Sequence, residues 1–382
     1  DACRRRSFIS TRLSHNFIFR RFPRKSRLFA STMKLSIAAL MLMAAQSCSG
    51  YSFVQPMRVA VPATAKKSYT LSMISDGSDR SERKSLDISK TTYTALVKSP
   101  KDAYLAFAEK GMSNAKMHWF KILHQSILGG AYVGFGGLLA LSVAGNISGI
   151  GFTNPGLVKM TFAALFPVNL LLIVMTGGQL FTGNSATVSA AKFEKMIYWR
   201  ELYKSFGVSL IGNVIGCGLF ALTANYVGLL KGGTGALACS TAVAKCAGTF
   251  GQTVVKAILC NWMVSLAVFM AGASNDLVGK LVGCWFPIST FVAIGLEHSV
   301  ANLFIMPCAI LLGAKVTIAD VVYKNLIPVI IGNAIAGAFV VAGSYSYQFG
   351  RLGKKSRDRF SEQLKTYEIR KRSENKEYVS FE

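Results

Sequence analysis

Acidic residues are scarce in this sequence: 18 Asp and Glu stand against 43 Lys and Arg, and charged residues of all kinds make up 16% of the 382. Soluble domains carry about 25%, so a chain that is also 51% hydrophobic is a membrane protein by composition. Histidine is rarer still, with four. The eight cysteines contain no CxxC pair, so neither a zinc site nor a disulfide framework is indicated. Cys239 and Cys246 share an expected loop and read as free small residues rather than a bridge. No nucleophile–base pair, metal-ligand cluster or phosphate-binding loop stands out; the sequence does not support an enzyme, and no cofactor or metal is expected. A neutral-solute channel of the aquaporin type needs two Asn-Pro-Ala boxes. The one approximation, Asn154-Pro155-Gly156, is expected in a loop and has no partner.

The formal charge of +25 is concentrated in the flanks. Residues 1–116 carry 21 Lys and Arg against 7 acids, and residues 351–382 carry 10 against 6. No folded basic module accompanies this excess, which argues for targeting and membrane-surface roles and against nucleic acid. Residues 1–32 read as an upstream extension ahead of Met33. Residues 33–52 then resemble a signal peptide, with Lys34, an apolar run over 37–45 and small residues over 47–52. Residues 53–94 open on Phe53 and are rich in Ser, Lys, Arg and Ala, as in a transit peptide. Together these two segments resemble the bipartite plastid presequence of algae with secondary plastids, which implies a plastid envelope location; the plasma membrane is the alternative. The transport domain is expected at 95–348 and a basic tail at 349–382.

Apolar runs long enough to span a bilayer fall near 120–143, 160–177, 206–230, 254–271, 281–312 and 326–344. The fifth is too long for one straight helix and is interrupted at Glu297-His298-Ser299. The second is followed by Gly177-Gly178-Gln179-Leu180-Phe181-Thr182-Gly183-Asn184 and a helical stub expected at 185–192. An acid beside an imidazole is expensive in hydrocarbon, and such residues usually face an interior cavity or a substrate path. Lys192, Lys195, Arg200 and Lys204 place the loop between spans two and three, with both termini, on the cytoplasmic or stromal side.

A weak internal echo doubles the pattern. Phe166-Pro167 recurs as Phe286-Pro287, and Ile211-Gly212-Asn213 as Ile331-Gly332-Asn333. The expected fold is therefore an all-α membrane protein of six transmembrane helices in two inverted three-helix repeats, with helices two and five broken. Folds of this kind put the substrate path where the broken helices meet.

Four segments then carry a resemblance: Leu180-Phe181-Thr182-Gly183-Asn184, Leu259-Cys260-Asn261-Trp262-Met263-Val264, the run 295–302 around Glu297-His298, and the run 325–333 from Asn325 to Asn333. In this order they resemble the formate/nitrite transporter family, over roughly residues 95–345. The resemblance implies an aquaporin-like fold, a homopentamer with one pore per protomer, and passage of small monovalent anions or their acids. It puts His298 at the pore centre, hydrogen-bonded to Thr182. An imidazole there can donate to a passing anion or, when protonated, neutralise it, and its ordinary pKa of ~6.5 suits a response to physiological pH.

By the same resemblance Phe166, Leu170 and Phe291 form two hydrophobic constrictions, Asn261 lines the pore, and Lys245 draws anions into the outer vestibule. Interhelical bonding remains open for Asn261, and ordinary packing for the three apolar residues. Glu297 reads as structural, bonding the backbone of the break, because an acid in an anion path repels its cargo; Asn184 is likewise structural. Two departures stand out: Gln179 where the family usually has an acid, and Asn169 where it often has glycine. Nitrite or formate is the expected cargo, proton-linked or passive, with lactate, acetate and hydrosulfide as alternatives.

Overall fold

The computed structural model describes residues 95–147 and 149–379. The expected extension, signal and transit segments lie outside these residues. Among the described residues there is no strand, only an isolated bridge between Val97 and Ser274. Six helices are long and apolar enough to cross a bilayer: Trp119–Ala144, Pro155–Thr176, Trp199–Tyr226, Phe250–Ala273, Leu277–Ile294 and Ile318–Glu368. The expected all-α architecture of six spans is therefore observed.

The first helix was not expected. Pro100–Lys116 starts where Ser99 accepts a hydrogen bond from Asp102 N, with Pro100 in the first turn and Lys116 in the last. Its buried stripe of Ala103, Tyr104, Phe107, Ala108, Gly111 and Ala115 has helical spacing, and it packs on the half-helix Phe181–Phe193. Burial pushes the Tyr104 phenol well above its ordinary range. The hydroxyl therefore stays a donor, held 2.7 Å from the Glu194 carboxylate. That carboxylate also accepts from Ser346 Oγ and Arg351 N, which ties the end of the half-helix to the close of the sixth span.

The second and fifth spans break as expected, and in the same way. Each ends on a glycine in the left-handed region, Gly177 at φ 81° and Gly295 at φ 84°, where a Cβ is disfavoured. A few extended residues follow, and a half-helix then restarts at Phe181–Phe193 and Ser299–Leu311. The first half-helix begins four residues before the expected stub, because Thr182, Gly183 and Asn184 are already helical. Within the second span the ladder is also interrupted at Phe166-Pro167, between Pro155–Leu165 and Val168–Thr176, where proline has no N–H to give.

Two expected loop placements are corrected. Asn154-Pro155-Gly156 is not a loop: Asn154 is the N-cap of Pro155–Leu165, with Pro155 in its first turn. Cys239 lies within the helix Gly233–Lys245 and Cys246 caps its end. Seven residues of helix advance about 10 Å, beyond disulfide reach, and both thiols are free. Between the fourth and fifth spans, Asp276 Oδ1 caps Leu277–Ile294 by accepting from Gly279 N at 2.7 Å, which holds the carboxyl below the usual range. The sixth span contains two π-helical stretches, Val321–Leu326 and Ala336–Gly343.

Candidate functional site

Each break is pinned by one asparagine, and the two are the echo residues Asn213 and Asn333. Asn213 Oδ1 accepts from Phe181 N at 2.9 Å, the leading N–H of the first half-helix, while its Nδ2 donates to Ser126 O and Gln179 O at 2.8 and 3.0 Å. Asn333 Oδ1 accepts from Ser299 N at 2.9 Å, and its Nδ2 donates to Ala257 O and Glu297 O at 2.8 and 3.1 Å. In both halves one amide satisfies the restarting helix, the extended break and the preceding span. A neighbouring glycine permits the approach. A Cβ on Gly332 would sit 2.5 Å from Val254 O, and one on Gly212 2.9 Å from Leu123 O.

The breaks bring the two half-helix N-termini together at His298 and Thr182. His298 Nδ1 accepts from Ala301 N at 3.0 Å and so caps its own half-helix. With Nδ1 occupied as acceptor, the neutral ring carries its proton on Nε2 and donates it to Thr182 Oγ1, 3.2 Å away. The threonine hydroxyl is left with a hydrogen to give. Phe291 stacks on the imidazole at 5.6 Å between centroids, and Phe166 meets Phe291 edge-on at 6.4 Å.

A cavity of about 430 Å³ ends on this cluster. Its rim includes the exposed residues Pro155 and Lys159, and its buried floor includes Phe166, Phe291 and His298. Thr182 and Leu170 do not line it; both are buried, and Leu170 lies one helical turn past Phe166.

Three expectations change. Asn261 does not line the cavity: it is fully buried, and its Nδ2 donates to Asn333 O, Ser185 Oγ and Thr182 O at 2.6, 3.0 and 3.3 Å. The interhelical reading applies. Glu297 does not bond the backbone of the break. Its Oε2 accepts from the side chains of Asn302, Asn325 and Lys245 at 2.8, 3.1 and 3.1 Å. Lys245 lines the cavity, but its ammonium is committed to Glu297 and to Leu296 O, so it is not a free cation.

In the first half Gln179 takes the place that Glu297 has in the second. Its Oε1 accepts from Asn184 Nδ2 at 2.8 Å, five residues on, as Glu297 accepts from Asn302. Its Nε2 donates to Gln125 Oε1 at 2.7 Å, so a neutral pair stands where the second half has an ion pair. Asn184 Oδ1 accepts in turn from Asn114, in keeping with its structural reading. Asn213, Asn302, Asn325 and Lys159 were not singled out as site residues. The 120-residue echo held the signal for Asn213 and Asn333, Asn302 and Asn325 stood in the two motif runs without a role of their own, and nothing in the sequence marked Lys159. Among the described residues no group of three or more His, Cys, Asp or Glu is placed to hold a metal.

Comparison with known proteins identifies the family. The formate/nitrite transporter family model matches residues 101–347. A probable formate transporter of Methanothermobacter thermautotrophicus is 39% identical over 270 residues, covering 66% of this chain and 97% of that protein. A formate channel of Bacillus thuringiensis is 35% identical over 238 residues, covering 62% and 90%. Among solved structures, a pentameric formate channel with formate bound superposes with a TM-score of 0.56 at 26% identity, covering 61% of this chain and 98% of that one. These relatives are transporters and channels rather than enzymes, and the chain is a multi-pass membrane protein that belongs to the formate/nitrite transporter family.

Proposed function

We propose that the protein passes nitrite or formate, as the anion or the weak acid, along a path through the cavity and between the two half-helices. The observation that carries this is His298 at the floor of a largely apolar cavity, in contact with Thr182 directly behind it. Phe166 with Phe291, and Leu170 beyond them, act as apolar rings that strip water from the anion. Thr182 and His298 then offer replacement hydrogen bonds or a proton. The positive ends of two half-helices favour negative charge there, an effect confined to the first turn. Glu297 is held away from the cargo by its three donors.

The two halves are taken to lie inverted in the bilayer, and the protein to assemble as a homopentamer with one path per protomer; the superposed formate channel, itself pentameric, supports that assembly. Residues 33–94 direct it to a plastid envelope in this reading, where nitrite is the natural cargo. Uptake of nitrite and formate into proteoliposomes at pH 5 and 7.5 tests the proposal. Flux is expected to rise at the lower pH and to collapse in His298→Phe. Folded protein with no flux of either substrate overturns the assignment and favours a larger monocarboxylate such as lactate.

A further inference from the structure

We propose that Lys159 and Thr241 form an outer resting site for a small oxyanion, about two helical turns ahead of the Phe166–Phe291 pair. The inference deepens the transport reading and rests on the cavity being the substrate path.

Two cations line the cavity, Lys159 and Lys245, and no described Asp or Glu does. Lys245 is spent on Glu297, 3.1 Å away. The Lys159 ammonium forms no ion pair and no hydrogen bond with any described residue, so it supplies the uncompensated charge. Its position on the helix aims it inward: Pro155, Val158, Lys159, Phe162 and Phe166 all line the cavity, at the spacing of one helical face. Seven residues separate Lys159 from Phe166, a rise of about 10 Å.

A second stretch of wall is the helix Gly233–Lys245, which contributes Leu237, Thr241 and Lys245 at successive turns. The Thr241 hydroxyl also hydrogen-bonds to no described residue, although a helical threonine commonly bonds back to its own carbonyls. Thr223 and Thr290 in this protein do so. An ammonium and a free hydroxyl on two helices lining one cavity, among apolar neighbours, match an anion carrying two oxygens on one centre, as in a carboxylate or nitrite. One oxygen takes the charge-assisted bond and the other the hydroxyl. Because charges farther apart than about 8 Å are largely screened at physiological ionic strength, the unpaired charge at the mouth acts on ions that have already come close to it.

The test pairs transport with direct binding. Formate uptake by proteoliposomes is measured against concentration for wild type, Lys159→Gln, Lys159→Arg and Thr241→Val. Line broadening of 13C-formate by the same proteins in detergent reads binding without transport. Lys159→Gln is expected to raise the half-saturating concentration about threefold or more, to leave the maximal rate within about twofold, and to flatten the dependence on salt. Lys159→Arg restores wild-type behaviour, and Thr241→Val shifts in the same direction as the glutamine variant. Broadening should fall in Lys159→Gln. Unchanged half-saturation and unchanged broadening in folded Lys159→Gln overturn the resting site and leave Lys159 as a side chain reaching for the membrane surface. Lys159-dependent broadening without wild-type flux upholds the resting site and overturns the transport reading instead.

Discussion

Asn169 shows how a single residue can be placed without being explained by its protein neighbours. It is buried, and its Nδ2 finds no partner among the described residues, although it sits beside Leu170 and one turn from Phe166. A buried donor left unpaired costs about 1–3 kcal/mol. Asn169→Leu keeps the branching and the heavy-atom count of the side chain and removes that cost, so thermal unfolding in detergent should move up by a few degrees. A downward shift would mean that water or a passing anion satisfies the amide in the working protein. His298 was legible as chemistry in the sequence, because an imidazole stands out in an apolar run. Its tautomer was not, since that depends on Ala301 N folding back onto Nδ1. The fates of Lys245 and Glu297 were equally hidden: 52 residues separate them, and no local pattern announces that their charges meet.

At the level of elements, the breaks are held by side chains from other spans rather than by their own turns. Asn213 and Asn333 each make three bonds, two of them to break and first-turn groups that the helix ladder leaves unpaired. Replacing either by leucine should strip out partners valued at about 1–3 kcal/mol apiece and cut the yield of folded protein sharply. Asn333→Asp keeps the acceptor for Ser299 N but loses the donor, and should be intermediate. Fluorescence-detected size exclusion of the three variants gives the order directly; an Asn333→Leu variant as stable as wild type would remove the clamp from the account. The over-long fifth run, interrupted at Glu297-His298-Ser299, and the Gly177–Asn184 run after the second foretold the breaks, because hydropathy and its interruptions are local signals. The helix Pro100–Lys116 escaped notice because its apolar face is short and is completed only by packing on Phe181–Phe193.

At the scale of the whole molecule, the outer surface carries large exposed apolar side chains, among them Phe135, Met160, Phe286 and Phe339. A surface of this kind is stable only against lipid tails or another copy of the chain. Native mass spectrometry from a mild detergent is expected to find five protomers, with no smaller species dominant at micromolar concentration; a monodisperse monomer that still transports would show that each path is self-sufficient. The number of spans and their broken pattern could be read from composition and periodicity. The wall of the cavity could not, because Pro155–Leu165, Gly233–Lys245 and Leu277–Ile294 meet only in three dimensions.

The cap on His298 ties electrical and mechanical events together. A second proton on the ring has only Nδ1 to occupy, and there it evicts the Ala301 N–H. Charging the imidazole and loosening the first turn of Ser299–Leu311 are then one act, so a substrate that hands over its proton also pulls on the helix beneath it.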